Sequence, residues 1–302
     1  MSADHPTNFA AECMACQIDR QLRAMPDDWP EPLRTEYMRA VLGLVLETEP
    51  WHPGPLLVRR LNALARQYGV PQPDYAPVKR RFNALMLSLA PRLREEIDSA
   101  ADPLCRAIQL SRAANYIDFG TMAVVSETAL FDLLAKAQDE DLGPEYPRFR
   151  EEVQTARRLV LLTDNCGEIV ADRLLLEELR KINPALSIIA MVRGAPVLND
   201  ATLEDARETG LDAVAEVMGN GSDICGTWRP ELSPAALECL ERADLILAKG
   251  QANFETLNGC GLNVYYLFLC KCTRFQRRFH MAPLRGVMAN DRRLTAWEDG
   301  QA

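Results

Sequence analysis

Histidine is scarce. Only His5, His52 and His280 occur in 302 residues, too few for a zinc centre built on several imidazoles, so a metal here would be held by oxygens or thiolates. No apolar run approaches the roughly 18 residues a membrane helix needs, so no membrane partner is expected. The opening MSADHPTNFAAECMACQ has neither a basic n-region nor an apolar core, so it does not read as a signal peptide. Positive charge is also short. Lys and Arg number 34 against 43 Asp and Glu, a net charge of -9, which argues against a nucleic-acid partner. Several binding signatures are missing. No GxGxxG follows the first strand of the C-terminal half, so a nicotinamide dinucleotide is poorly supported. There is no GxxxxGK[ST] phosphate loop, no GxSxG nucleophile elbow and no DxD of the haloacid dehalogenase phosphatases.

What is present is ordinary globular composition, 48% hydrophobic and 25% charged, with room for two modest domains or one large one. Nine cysteines, an odd number without an export signal, point to reduced thiols and a cytoplasmic location.

The chain has two grammars. Over residues 1–156 apolar residues recur three and four apart, as in EPLRTEYMRAVLGLVLETE and SETALFDLLAKAQDE, and prolines punctuate the helices, mostly at starts and connections. One short strand is admissible there, near Asp118 to Val125. Over 157–302 buried strands alternate with helices: RLVLLTD, then IVADRLLLEELRKI with Glu178 interrupting its apolar side, LSIIAMVRG, ATLEDARETG, DAVAEVMG, SPAALECLERA with Ser233 as N-cap, DLILAKG and LNVYYLFLCKC. Near-continuous apolar strands separated by helices predict a parallel sheet covered on both faces. The expected fold is α/β, a Rossmann-like three-layer α/β/α domain at 157–302 behind a mainly helical region at 1–156.

Ligands of open parallel sheets bind beyond the carboxyl ends of the strands. The loops there carry Asp164-Asn165-Cys166-Gly167-Glu168, then Arg193 to Asp200, then Gly219 to Asp223 with Gly221 and Ser222, then Lys249-Gly250-Gln251-Ala252-Asn253. Carboxylate and carboxamide oxygens suit a hard divalent cation. Glycines let backbone N–H groups approach phosphate, and a lysine counters charge on a phosphoryl group. Singly, these acids are more often caps than ligands. Asn165 with Glu168 reads as a capping box, and Asp200 as an N-cap before ATLEDA. The coincidence of four polar, glycine-containing loops on one edge points to a site.

TDNCGEIVADRLLLEEL resembles the DNxGE-plus-helix signature of domain-of-unknown-function 89, the metal-dependent damage-control phosphatases. VRGAPVLNDAT and LAKGQANFETL resemble its second and third motifs, and DPLCRAIQLSRAANYIDFG its helical segment. Cys13-Met14-Ala15-Cys16 and FLCKC are similar to elements of a largely prokaryotic branch. The resemblance runs from about residue 13 to about residue 272 and implies hydrolysis of phosphomonoesters, sugar phosphates and phosphopantetheine-type compounds among them. It implies Mn2+, Co2+, Ni2+ or Mg2+ held by Asp164, Asn165 and Asp200. It implies Lys249 at the phosphoryl group, with Glu168 or Asp200 orienting water. Asn115, Asp118 and Asn253 would line the site, and backbone N–H groups around Gly167, Gly221, Ser222 and Gly250 would hold phosphate. The implied partner is a small phosphorylated metabolite, and a homo-oligomer is compatible with the sequence.

Other features stay open. Cys13 and Cys16 could join Cys270 and Cys272 in a thiolate metal site, although spacing alone does not bring them together. Cys166 is better read as a buried filler than as a redox neighbour. Arg274 to Arg278 reads as a solvated basic face. Two rival functions remain: a carboxyl methyltransferase using S-adenosylmethionine, weakened by a first loop without a glycine-rich turn, and a non-catalytic metal-linked protein that binds a phosphometabolite.

Overall fold

The computed structural model describes residues 9–120 and 125–294. Its chain divides into two compact units, Met1–Asp74 and Tyr75–Ala302.

The first unit holds helices α1 (Ala11–Ala24), α2 (Glu31–Leu46) and α3 (Gly54–Gln67). They close on a small core that includes Tyr37, Val41, Leu57 and Leu61. Tyr37 brings its hydroxyl into that core and donates it to Gln21 Oε1 at 2.5 Å, because a buried hydroxyl needs a partner.

The second unit begins with α4 (Ala76–Asp98), α5 (Pro103–Ala114), α6 (Glu127–Lys136) and α7 (Glu145–Thr155). Then β1 (Arg158–Leu162), α8 (Glu168–Ile182), β2 (Ser187–Val192), α9 (Leu203–Glu208), β3 (Glu216–Gly219), α10 (Pro234–Glu241), β4 (Leu245–Lys249), α11 (Gly250–Leu257), β5 (Val264–Leu269), α12 (Thr273–Arg278) and β6 (Gly286–Asn290) follow. The sheet order is β3-β2-β1-β4-β5-β6. The first five strands are parallel, and β6 pairs antiparallel with β5. Alternation along β1 divides the layers. Leu159 and Leu161 enter one core with α4, α5 and α8, while Val160 and Leu162 enter the other with α10, α11 and α12. This is the expected three-layer α/β/α arrangement.

Four features differ from the sequence reading. The grammar changes at 156/157, but the compact units divide at 74/75, because α4 and α5 lie on the sheet core through residues such as Met86, Leu93 and Ile108. Strand β6 was not anticipated. In the segment read as a strand near Asp118, Phe119 and Gly120 form a turn, and 121–124 lie outside the described residues. Pro91 sits inside α4 rather than at a boundary. Glu178, the interruption on α8, is buried and bound by Arg94 and Lys181, so its charge is neutralised. Among the described residues no helix is long and apolar enough to cross a membrane.

Candidate active site

The order of strands reverses between β1 and β4, where an open parallel sheet leaves a crevice. At the end of β1, Thr163 donates both its N–H and its hydroxyl to Met191 O at 3.1 Å. The loop after β2 then runs antiparallel to the loop after β1. Ala201 N–H donates to Asp164 O at 2.7 Å, Cys166 N–H donates to Asn199 O at 2.8 Å, and Asn165 and Asp200 form a bridge. Backbone pairing therefore brings two acids distant in sequence side by side. The loop after β4 closes the third side. A Cβ on Gly250 would lie 1.9 Å from Asp164 Oδ2, and this residue has φ +79°, so only glycine leaves room for the carboxylate.

Two amides fix the carboxylates. Asn115, the C-cap of α5, accepts Leu269 N–H on Oδ1, which turns its Nδ2 toward Asp164 Oδ2 (3.0 Å) and both oxygens of Glu168. Asn199 accepts Phe119 N–H on Oδ1 and so presents Nδ2 to Asn165 Oδ1 at 3.0 Å. Asn165 Nδ2 then faces Asp164 Oδ2 (2.8 Å) and Glu168 Oε2 (3.0 Å). Asn165 Oδ1 keeps a second lone pair.

Two cations stand at these acids. Arg193 donates from Nε to Asp200 Oδ2 at 2.6 Å, and its Nη2 lies 3.7 Å from Asp164 Oδ1. That Nη2 is buried and has no hydrogen-bond partner. Lys271, just past β5, meets Asp118 Oδ2 at 2.7 Å. Burial, with Asp200 and Glu168 adding negative charge, pushes the Asp164 carboxyl well above the ordinary range despite Lys271. Burial also raises Asp200, and Arg193 only partly offsets this. For Arg193 itself burial works against the charge, but Asp200 and Asp164 outweigh it and raise its pKa.

The sequence matches the Damage-control phosphatase ARMT1-like domain over residues 10–280. This chain belongs to the damage-control phosphatase family. It is 32% identical over 268 residues to a protein named damage-control phosphatase from Archaeoglobus fulgidus, covering 86% of this chain and 91% of that one. It is 34% identical over 277 residues to an uncharacterized protein of Methanocaldococcus jannaschii, with 86% and 88% covered. The crystal structure of a DUF89 family protein from Pyrococcus horikoshii shares the fold, with a TM-score of 0.74 at 24% identity over 93% of this chain and 98% of that one.

Within this damage-control phosphatase fold the sequence-predicted residues separate into two sets. Asp164, Asn165, Glu168, Asp200 and Asn115 converge as described, and Asp118, paired with Lys271, lies near enough for its charge to act on Asp164 and Asp200. The others serve the scaffold. Lys249 was expected at the phosphoryl group, but its Nζ is wholly buried among Ser111 O, Ser111 Oγ, Asp172 Oδ1 and Glu168 Oε1. An ammonium has three donors, so none is left for a phosphate. Gly167 gives its N–H to Asn83 Oδ1 at 2.6 Å. Asn253 spends its amide on Thr163 O, Lys249 O and the Thr227 hydroxyl, which ties the ends of β1 and β4 together. Gly221 packs against the backbone of Gly194, whose N–H donates to Ser222 O, so both belong to the wall beside Arg193. The helix caps also differ. Gly167 rather than Asn165 is the N-cap of α8, and Thr202 rather than Asp200 caps α9 in a capping box with Asp205. Arg193, Asn199 and Lys271 were overlooked as individual site residues, although each stands in a quoted motif.

The site fits a divalent cation. Gly250 leaves the space on Asp164, and the donors are two carboxylates and a carboxamide oxygen, all hard. Among the described residues no group of three or more His, Cys, Asp or Glu is set to hold a metal, and a cation held by Asp164 and Asp200 would need a further donor such as the Asn165 carboxamide oxygen. The same finding gives no support to a thiolate centre. All nine cysteines are outside disulfides, and burial pushes the Cys166 thiol up to about 12, as suits a filler. An open cleft of about 520 Å³ lined by Arg92, Glu96, Asp102 and Arg106 lies at the other end of α5 and contains none of the site residues.

Proposed function

We propose that this chain is a divalent-metal-dependent phosphatase acting on small phosphomonoesters, of the sugar-phosphate or phosphopantetheine kind. The observation that carries the reading is the paired loop of Asp164 and Asp200 at the switch point, with Arg193 and Lys271 beside it. Family membership supports the phosphatase class. A divalent cation bound here would polarise a phosphoryl oxygen and so leave the phosphorus open to attack by water. Asp164, Asp200 and Asn165 would hold that cation. Lys271 and the unpartnered Nη2 of Arg193 offset negative charge as the ester bond breaks. Glu168 accepts from Asn115, Asn165 and Lys249, so its lone pairs are taken and it positions rather than transfers protons. Asp200, whose Oδ2 alone is used by Arg193, is left to orient the water. Asp164 and Asp200 are 5% and 4% exposed, which favours a small reacting group over a macromolecular one.

The test is phosphate release from a phosphomonoester panel by metal-stripped protein, with Mg2+, Mn2+, Co2+ and Ni2+ restored singly. Release that returns with metal and is lost in Asp164→Ala, with the variant folded, is the expected outcome. Full activity in Asp164→Ala on the best substrate would end the metal-site reading.

A further inference from the structure

We infer that Asp172 is a positioning residue of this site, which acts through Lys249 to fix the Glu168 carboxylate that orients Asn115 and Asn165 about Asp164. The inference rests on the metal-site reading above. Glu168 and Asp172 are four residues apart on α8, so they share one face of the helix a turn apart. Lys249 reaches between them from the end of β4, 2.7 Å from each, and all three side chains are 0% exposed. Ser111 of α5 completes the set. Its hydroxyl donates to Asp172 Oδ1 at 2.6 Å and accepts from Lys249 at 2.6 Å.

A buried charged triad gives little net stability over apolar side chains of the same volume. What it does here is geometric. Lys249 is held from behind by Asp172 and Ser111, so it meets Glu168 on Oε1 and leaves Oε2 for the N–H and Nδ2 of Asn165. Without the charge on Asp172, the ammonium has Glu168 as its only anionic partner. Glu168 is then drawn toward Lys249 and away from the two amides. Partners that orient metal ligands typically carry about 10- to 100-fold in metal affinity.

The test is calorimetric titration of the full-length, metal-stripped chain with Mn2+, with circular dichroism and thermal unfolding recorded for every protein. Asp172→Asn, which acts on Glu168 through Lys249, is expected to weaken Mn2+ binding by about 10-fold, the lower end of that range. Asp172→Glu should recover part of the loss, and Ser111→Ala should shift affinity the same way by less. A lowered unfolding temperature with unchanged Mn2+ affinity in Asp172→Asn would mean a purely structural role and overturn the inference. If Asp172→Asn does not fold, Ser111→Ala decides, and wild-type affinity there overturns it too. Wild-type protein that binds no Mn2+ removes the metal-site reading itself, a failure visible before any variant is made.

Discussion

Adding one methyl group at Gly250 tests whether the Asp164 carboxylate is seated as described. The new Cβ would lie 1.9 Å from Oδ2, 2.2 Å from Cγ and 2.8 Å from Oδ1 of Asp164. The carboxylate must swing away, and the bonds from Asn115 Nδ2 (3.0 Å) and Asn165 Nδ2 (2.8 Å) are at stake. Losing one bond to a charged acceptor costs about 1.5–3 kcal/mol. Alanine at φ +79° adds about 1–2 kcal/mol of backbone strain. Gly250→Ala should therefore destabilise by about 2.5–5 kcal/mol. The three nearest atoms all belong to the Asp164 carboxyl, so in an Asp164→Ala background the same substitution should cost only the strain, about 1–2 kcal/mol. Urea unfolding of wild type, both single variants and the double variant closes the cycle, with an expected coupling of about 1.5–3 kcal/mol. Additivity within about 0.5 kcal/mol would refute the packing argument. Mn2+ titration adds a second reading, because Gly250→Ala should lose affinity as Asp164→Ala does.

The two lysines at the strand ends should behave oppositely. Lys249→Met leaves Asp172 and Glu168 buried without their cation and should cost about 3–5 kcal/mol of stability in urea. Lys271→Met removes the cation from one partly exposed carboxylate, Asp118, so it should cost less stability than Lys249→Met and lower phosphate release about 100-fold or more, and normal turnover in it would return the phosphoryl contact to another residue. Glu255, 15% exposed beside Arg274, is raised by burial from its ordinary 4.5 to about 6. The folded state thus holds this proton more tightly, so the associated stability, about 2 kcal/mol, is present below pH 4.5 and lost as pH rises through 6. Glu255→Gln should flatten the unfolding free energy across that window, and an unchanged slope would show that another group titrates there.

Much of this was legible because burial and backbone pairing leave marks in sequence. Of the six strands among the described residues, β1, β2, β4 and β5 are apolar runs, and Asp164, Asn165, Glu168 and Asp200 follow such runs where a parallel sheet opens. Side-chain direction is not written in the same way. Lys249 and Lys271 both end strands, but one is directed back into Ser111 and Asp172 and the other toward Asp118, a choice set by α5 and α8 packing behind the sheet. Strand β6 escaped notice because GVMAN is five residues long and pairs antiparallel at an edge. The division at 74/75 was equally hidden. Helices that pack on one another and helices that pack on a sheet share the same three-and-four spacing, and only the partner distinguishes them.

Helix α5 is buried along almost its whole length. Leu104 and every residue from Arg106 to Ala114 are buried, Ser111 and Asn115 supply the site, and Arg112 reaches Glu140 at 2.9 Å while lying against Gly286 of β6. Elements that can open locally are those with few buried contacts and exposed backbone bonds, and α5 is the reverse. Its amides should exchange with deuterium only when the whole unit opens. The amides that orient the acids are thus set in place before any ligand arrives, and heat should abolish catalysis and the sheet core at one temperature rather than in succession.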